Sequence, residues 1–440
     1  MWERILAVYC FFHFSEGLWS MLLVEDPYSM DGSPIMRMAW YPIYLFGILG
    51  LLRAGSNAVR AILSTPLLYC VLALAFASTF WSLIPDVTSR RAFALAMTSL
   101  FGVYLAARYK WREMILIMAA GFATMAVVGA LGSLTMPALF VDQKVHVGAW
   151  KGVWVEKNVM GGFMVRGFAA CACAALISTK HKRLWAFFAA FCAAMVLLST
   201  SAGALLALLM GGTLILAITM IRKSPAQALF FGYSALTLIL AAAIVAIFMP
   251  AEILHALGRD PSLTGRTPIW ALVIADIKEH FWVGNGFGVF WKDQHGAANY
   301  IRVALQWGVP NAHNGWLDLA LNLGFTGVLL CGVYLFLGIW RAANKLFDPV
   351  ISPFAITMLL LSLQFSMSES VIAQQNNLVW VIFVAICTKL AMGRDAGDPQ
   401  PVVHPRRRLA AQIAHNRMAR GQRVRLRRPQ RSDGPTKPIF

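Results

Sequence analysis

The run AGALLALLMGGTLILAITMI, residues 202–221, decides the fold class, because it contains no charged side chain. An α-helix rises about 1.5 Å per residue, so about twenty such residues cross the hydrocarbon core of a bilayer. The whole chain shares this character, with 59% hydrophobic and 13% charged residues among 440. Soluble domains carry about 25% charged residues. The sequence therefore predicts an all-α integral membrane protein.

Apolar runs of about 17 to 23 residues predict about twelve transmembrane helices. They lie near 2–24, 37–52, 62–84, 91–107, 113–133, 159–178, 184–200, 202–221, 227–249, 316–340, 352–369 and 378–392. Basic residues collect in alternate loops, and the positive-inside rule then places both termini in the cytoplasm. Arg90 and Arg91 depart from this pattern. Two long loops, about 134–158 and 250–315, are predicted to be extracytoplasmic.

The net charge of +18 is unevenly distributed. Residues 393–440 contain twelve Arg or Lys and three Asp, so this tail carries nine of the eighteen surplus charges. Its composition predicts a basic, disordered cytoplasmic tail that follows a polytopic membrane domain over residues 1–392. No nucleic acid is expected as a partner of the membrane domain, and it stays a minor alternative for the tail alone.

The chain shows no sequence sign of a cofactor. All seven cysteines lie inside apolar runs, which argues against a disulfide framework or a thiolate metal site. No His-x-His or Asp-x-Asp pair occurs in the predicted outer loops. We therefore expect no metal ion and no other cofactor. Because the outer side of a membrane has no supply of ATP, a synthetic reaction there needs a substrate that was activated beforehand.

The polar and aromatic segment Thr264–Asp318 is the best candidate for a functional region, since loops on a rigid scaffold commonly carry function. It contains Gly-Arg-Thr-Pro-Ile-Trp (265–270), Gly-Asn-Gly-Phe-Gly (284–288) and His-Asn-Gly-Trp-Leu-Asp (313–318). The glycine motif could cradle a phosphate, but no strand precedes it. A helix stop followed by a turn is the preferred interpretation.

Arg266 lies just before a predicted amphipathic helix. Thr267 is a candidate N-cap with Pro268 at the first helical position, and apolar residues from Ile269 to Phe281 recur at helical spacing. A guanidinium next to free helical N–H groups favours an anion such as phosphate. An arginine that reaches the lipid headgroups is an equal alternative.

His313 and Asp318 are candidates for acid–base chemistry. A neutral imidazole is a ready general base, and a carboxylate can orient it. Taken alone, an interfacial histidine that hydrogen-bonds a helix end is the stronger interpretation. Lys157 and Asn158 add a cation and an amide at the same predicted face, with an interfacial anchor as the alternative. Glu369, in the last predicted outer loop, is interpreted as a solvated residue.

Together these residues resemble the O-antigen ligase and exopolysaccharide polymerase family of bacterial inner-membrane proteins. The family motifs occur in order over roughly residues 145–330. They are Lys157-Asn158-x-x-Gly161, the Ser-rich turn 198–203, Gly265-Arg266-x-x-x-Trp270, Gly284-x-Gly286-x-Gly288, His313-Asn314-x-x-Leu317 and Gly324-x-x-Gly327.

The resemblance implies a fold like that of the metal-independent, lipid-linked glycosyltransferases in the bacterial cell inner membrane. The implied donor is an undecaprenyl-diphosphate-linked oligosaccharide at the outer face. The acceptor is a second saccharide chain for a polymerase or lipid A core for a ligase, and the wording of the motifs favours an exopolysaccharide polymerase. Chain-length regulator and export proteins are implied partners. A polysaccharide flippase or transporter and a non-catalytic export scaffold remain the alternatives.

The resemblance also implies roles for individual residues. Arg266 would neutralise the leaving diphosphate, His313 would accept the proton of the attacking hydroxyl, and Asp318 would orient His313. Inversion at the sugar follows, because no outer carboxylate pair suggests a covalent intermediate. The implied substrate-binding residues are Lys157, Asn158, Asn314 and Arg302.

One position departs from the family pattern. Ala202 stands where members commonly carry an arginine that helps to hold the donor diphosphate. Either the donor is handled differently or another cation substitutes. The candidates are Lys157, Arg166 and Arg302.

Overall fold

The structure is a computed structural model that describes residues 1–18, 34–224, 266–292, 296–306 and 308–393, with a few positions between 226 and 234. Nearly all of the predicted span 227–249, the first part of the loop 250–315 and the tail from 394 onward lie outside the described residues. The described residues are helices and connecting loops, with one isolated antiparallel bridge between Val141 and Trp150. The prediction of an all-α protein is confirmed for this part of the chain.

The helices follow one another with short connections over most of the described ranges. In chain order they are α1 (Trp2–His13), α2 (Pro34–Arg53), α3 (Ser56–Leu63), α4 (Pro66–Ala77), α5 (Pro85–Arg108), α6 (Trp111–Thr135), α7 (Pro137–Phe140), α8 (Lys157–Ile177), α9 (Lys182–Leu198), α10 (Ala202–Ile221), α11 (Arg266–Glu279), α12 (Asn299–Leu305), α13 (Gly315–Ala343), α14 (Ile351–Ser366) and α15 (Leu378–Met392).

Five of these helices are long and apolar enough to cross a membrane, namely α2, α6, α8, α10 and α13. A sixth span results if α3 and the bent segment that follows it are counted as one, while α14 and α15 are apolar but shorter. Each predicted span other than 227–249 overlaps a helix, although the first helix ends at His13. The structure supports a multi-pass membrane protein, and the total of twelve spans stays a prediction.

The predicted span 62–84 is not one straight helix. The chain bends by 71° between Leu63 and Pro66. Proline lacks the N–H that would continue α3, and it disfavours helical torsion angles in the residue before it. Thr65 accordingly has φ −127° and ψ 56°. This part of the chain is either a broken span or a re-entrant loop.

Helix α8 lies at the centre of the helical bundle, where it packs against α6, α9, α10 and α14. Two of its glycines allow this close packing. A Cβ at Gly161 would lie 2.6 Å from the Cβ of Ala204, and one at Gly167 would lie 2.9 Å from the Sγ of Cys192. Small residues at helix contacts let the backbones of membrane helices approach closely.

Helix α13 is interrupted at Gly324, which has φ 63° and ψ −168°. The loop after α11 fills the interruption. The N–H of Asn285 donates to the carbonyl of Leu321 (2.8 Å), and the N–H of Phe325 donates to the carbonyl of Phe281 (2.7 Å). The backbone groups that the break releases thus have partners, as an apolar environment requires.

This docking explains the Gly284-x-Gly286-x-Gly288 motif. A Cβ at Gly284 would lie 2.7 Å from backbone atoms of α13, and one at Gly286 would lie 2.6 Å from the side chain of Ser82. The backbone N–H groups of all five residues from 284 to 288 donate hydrogen bonds within the protein. No N–H of this turn remains for a phosphate, so the interpretation as a turn fits the structure.

Residues 266–321 contain a second small core. Its buried members are Ile269, Val273, Phe290, Trp291, Ala298, Ile301, Val309, Ala312 and Leu321. Helix α11 contributes Ile269 and Val273, which share one face as the helical spacing predicts. The described part of the predicted outer loop is therefore packed on α13 by its own apolar residues.

Candidate functional site

His313 lies in the turn before α13. Its φ of 49° is in the left-handed region, and its N–H donates to the side-chain oxygen of Asn311 over 2.8 Å. The preceding residue, Ala312, is held on both sides. Its N–H donates to Oδ1 of Asp318 (3.1 Å), and its carbonyl oxygen accepts from Nε1 of Trp270 (2.9 Å). Trp270, from the motif 265–270, and Asp318, at the end of the motif 313–318, thus fix the backbone directly before His313.

The His313 imidazole is half-buried and lies near Arg266. Burial lowers the pKa of His313 to about 4, and the guanidinium of Arg266 acts in the same direction. The ring is therefore neutral near pH 7 and can accept a proton. The structure brings together these two predicted site residues, although α11 and its following loops separate them in sequence.

Glu369, in the loop between α14 and α15, joins this pair. Its Oε1 lies 3.8 Å from Nη2 of Arg266, and the two side chains are only 28% and 25% exposed. Burial raises the pKa of Glu369 to about 7, against the opposing effects of Arg266 and Arg166 and with a smaller rise from Glu156. Glu369 is thus half-buried beside Arg266 and lines a cavity, whereas the sequence suggested a solvated loop residue. No local sequence signal marks it, since its partners come from distant helices.

Asp318 is 3% exposed in the first turn of α13. Its carboxylate accepts hydrogen bonds from Nε1 of Trp291 (2.8 Å), from the N–H of Ala312 and from Oγ of Ser370. No hydrogen bond links it to the imidazole of His313, because its oxygens are directed at these three donors. The predicted orientation of His313 by a direct hydrogen bond from Asp318 is thus not seen. Asp318 instead holds the backbone one residue before His313.

Lys157 and Asn158, at the start of α8, hold the Ser-rich turn. Lys157 donates from Nζ to Oγ1 of Thr200 (3.2 Å), and Asn158 accepts at Oδ1 from Oγ of Ser201 (2.8 Å). Thr200 has φ 50°, so the turn is tight. The structure therefore packs two of the sequence motifs against each other, and Gly161 provides the space for this contact.

Asn314 and Arg302 both make structural contacts. The side-chain oxygen of Asn314 caps α13 by accepting from two N–H groups of its first turn (3.0 and 3.3 Å). Arg302 donates to the carbonyl oxygens of Trp291 (2.7 Å) and Val309 (3.3 Å). Their assignment to substrate binding stays a prediction, as it does for Lys157 and Asn158.

A cavity of about 280 Å³ lies beside Asn158, Asn311 and Glu369. It is bounded by α8, by the loop after α14 and by the residues that follow α1. Its polar lining includes Glu16, Asn158, Arg166, Asn311, Glu369 and Ser370. Asn311 bonds to His313 and Glu369 approaches Arg266, so the cavity adjoins both predicted catalytic residues. Such a space can receive a polar headgroup of moderate size.

Among the described residues, no group of three or more His, Cys, Asp or Glu side chains could hold a metal ion. The carboxylates near the cavity are instead accompanied by guanidinium groups. Independence from metal ions stays a prediction.

The site can now be compared with known proteins. Residues 185–332 match the model of a family described as O-antigen ligase. The chain is also 25% identical over 264 residues to the exopolysaccharide production protein ExoQ of Rhizobium meliloti (strain 1021). The resemblance to the O-antigen ligase and exopolysaccharide polymerase family is confirmed. The alignment with ExoQ covers 57% of this chain and 59% of that protein, which is less than two thirds of its length.

The O-antigen ligase segment does not contain the whole site. It includes Arg266, His313 and Asp318, as well as the departure at Ala202. Helix α8 precedes the segment, and Glu369 follows it. The α8 side of the cavity is therefore a feature that the structure adds to the family match.

Proposed function

We propose that this protein transfers an oligosaccharide from undecaprenyl diphosphate to an acceptor sugar at the outer face of the bacterial inner membrane. The observation that carries this proposal is the meeting of Arg266, His313 and Glu369 beside the cavity of about 280 Å³ in an apolar helical bundle. The family match supports a role in polysaccharide synthesis.

The reaction is a direct displacement at the anomeric carbon of the donor. The acceptor hydroxyl oxygen forms the new glycosidic bond while the bond to the diphosphate oxygen breaks. His313 takes the hydroxyl proton, for which the ring must be neutral, as its lowered pKa keeps it near pH 7. Arg266 stabilises the negative charge that develops on the leaving undecaprenyl diphosphate. The sugar configuration inverts in a single step.

Asp318 supports this step from a distance. It holds the N–H of Ala312, and Trp270 holds the carbonyl of the same residue. A catalytic base must keep a defined position against its substrate, and such contacts supply that precision. We therefore assign Asp318 a positioning role through the backbone of His313.

A polymerase of exopolysaccharide repeat units is the favoured form of this activity, because the relative found by sequence is named for exopolysaccharide production. Its acceptor is a second lipid-linked chain. A ligase would use the same donor with lipid A core or another acceptor. Chain-length regulator and export proteins are the partners that a polymerase would require.

The test uses the purified protein in proteoliposomes with lipid-linked repeat units as the substrate. We expect high-molecular-weight polysaccharide and released undecaprenyl diphosphate without added metal ions. A flippase would move the donor to the other leaflet without changing it, and a scaffold would leave it in place. Recovery of intact donor in either leaflet, without polymer or ligated product, would contradict the proposed reaction.

A further inference from the structure

Asn311 closes a tight turn with His313, the proposed base. The N–H of His313 donates to Oδ1 of Asn311 over 2.8 Å, which is the contact of an Asx-turn. Because a backbone N–H can only donate, the atom of the amide that meets it is the oxygen. This hydrogen bond therefore fixes the orientation of the amide and leaves its NH₂ group for other partners.

The NH₂ group of Asn311 has no hydrogen-bond partner among the residues that the structure describes. The residue is half-buried, and its nitrogen is not one of the unpaired polar atoms in this part of the chain that are sealed from solvent. Asn311 lines the cavity of about 280 Å³. Its two N–H donors are thus available to an oxygen atom of a molecule in this cavity.

The backbone on both sides of Asn311 is held in place. Val309 is buried, and its carbonyl oxygen accepts from Nε of Arg302 over 3.3 Å. The ring of Pro310 fixes its own φ angle. Ala312 is buried as well and is bonded at both its N–H and its carbonyl. A donor that is positioned in advance loses little conformational entropy when it binds a ligand.

The position of Asn311 favours contact with the acceptor sugar. In the proposed reaction the base, His313, touches the attacking hydroxyl of the acceptor. Asn311 is bonded to the backbone of that same residue, so a group that it reaches lies close to the attacking hydroxyl. An uncharged amide donor suits the oxygen of a sugar hydroxyl, whereas a diphosphate is bound best by guanidinium groups.

We propose that Asn311 binds the acceptor sugar, by donating from its NH₂ group to the oxygen of a hydroxyl next to the one that attacks. This inference rests on the proposed function. It gives the cavity a saccharide ligand with two neighbouring hydroxyl groups. One of them loses its proton to His313, and the other is held by Asn311. The turn thus combines the base with a residue that selects the acceptor.

The experiment measures transfer to a soluble acceptor by the full chain in proteoliposomes that contain the lipid-linked donor. The acceptor is an alkyl glycoside of the donor's own repeat unit, which has no diphosphate and cannot itself be a donor. Each member of a matched series lacks one hydroxyl beside the attacking one. For the wild type, we expect one such deoxy acceptor to react with a kcat/KM about 3- to 10-fold lower, as loss of one hydrogen bond predicts.

Asn311→Ser connects this preference to the amide. Serine keeps an oxygen that can accept the N–H of His313, but it lacks the NH₂ group. We expect this variant to use the complete and the deoxy acceptor equally well, with an unchanged KM for the donor. A purely structural role would lower both rates by the same factor and keep the preference. Asn344→Ser is the matched control, because Asn344 is exposed after α13, and it should retain the preference of the wild type.

The contrary outcomes are distinct. Equal use of all acceptors by the wild type overturns the proposal, even if Asn311→Ser fails to fold. A preference that persists in Asn311→Ser overturns it as well, and so does a rise in the KM for the donor alone. These results leave polymer synthesis by the wild type intact. Failure of the wild type to transfer sugar to any acceptor, or to form polymer, would instead overturn the proposed function itself, and this assignment with it.

Discussion

Trp270 donates an indole hydrogen bond to the carbonyl oxygen of Ala312 over 2.9 Å. This contact joins the helix that begins at Arg266 to the turn that carries His313. Because Asp318 accepts from the N–H of Ala312, the peptide groups before His313 are held at both ends. These two hydrogen bonds fix the proposed base, His313, relative to Arg266 through the backbone, without a hydrogen bond to the imidazole. The relative position of Arg266 and His313 thus depends on the backbone of Ala312.

Replacement of His313 by asparagine tests the proposed base. His313 has φ 49°, and asparagine tolerates this left-handed conformation better than alanine does. The turn should therefore persist while the proton acceptor is lost. Removal of a general base costs about 10² to 10⁴ in rate. We expect polymer to disappear from gels and lipid-linked repeat units to accumulate.

Lys278→Ala is the control for this experiment, because Lys278 is exposed on α11 and has no assigned role. The amount of each variant in the membrane must match that of the wild type. Full-length polymer from His313→Asn would show that another group takes the proton. Glu369 would then become the first alternative.

Much of the site could be predicted from the sequence. The order of the motifs predicted that Arg266 and His313 lie in one region, and the spacing from Ile269 to Val273 predicted the buried face of α11. These signals are local, because helical periodicity and capping depend on residues a few positions apart. The helix positions followed from the same apolar runs.

The remaining features depend on contacts between distant segments. Glu369 lies in the loop after α14 and Arg166 lies on α8, and nothing in their neighbours in sequence indicates a shared cavity. The break at Gly324 is filled by the loop after α11, so neither segment alone reveals it. Asp318 was expected beside the His313 ring, but Trp291 and Ser370 compete for its oxygens. The bend before Pro66 could have been predicted from the proline itself.

Arg266→Lys tests the anion-binding role of the guanidinium. Lysine keeps the positive charge but loses the planar arrangement of donors that matches a diphosphate. We expect the KM for the lipid-linked donor to rise by about tenfold or more, in keeping with the loss of charge-assisted hydrogen bonds. An arginine that only reaches lipid headgroups would tolerate the change. Unchanged KM and kcat in proteoliposomes would therefore contradict the proposed contact.

Gly284→Ala tests the docking of the glycine turn on α13. The added Cβ would lie 2.7 Å from backbone atoms near Gly324, and φ at this position is 67°. Left-handed strain costs about 1–2 kcal/mol and overpacking about 1–3 kcal/mol more. Thermal unfolding in detergent should occur at a clearly lower temperature. Gly203→Ala is the control, because no atom lies within 4 Å of its Cβ, and equal melting temperatures would contradict the docking.

The predicted topology can be tested with inserted reporters. Alkaline phosphatase folds only outside the cytoplasm, so an insertion at Val145, which is exposed, should be active. A fusion after Gly393 should be inactive, because the basic tail is predicted to be cytoplasmic. A cytoplasmic reporter such as β-galactosidase should give the opposite pattern. If the activities were reversed, the donor could not reach the site from the outer face.

The ion pair between Arg266 and Glu369 predicts how the reaction depends on pH. Burial raises the pKa of Glu369 to about 7, so this side chain is mostly neutral below pH 7 and ionised above it. The ionised form pairs with Arg266 and repels a diphosphate. The KM for the donor should therefore rise as the pH increases through about 7. His313, with a pKa of about 4, stays neutral across this range and should leave kcat nearly constant from about pH 5 to 9.

Glu369→Gln isolates the contribution of this carboxyl group, because glutamine keeps the shape of the protonated form and cannot ionise. The pH-dependent rise of KM should vanish in this variant, and the donor should bind at pH 8 about as well as it binds to the wild type at pH 6. Donor binding and initial rates in proteoliposomes at pH 5, 6, 7, 8 and 9 provide both constants. A rise of KM that persists in Glu369→Gln would place the titrating group elsewhere. A fall of kcat near pH 6 would show that the His313 imidazole titrates there and is less shielded from water than its half-buried position implies.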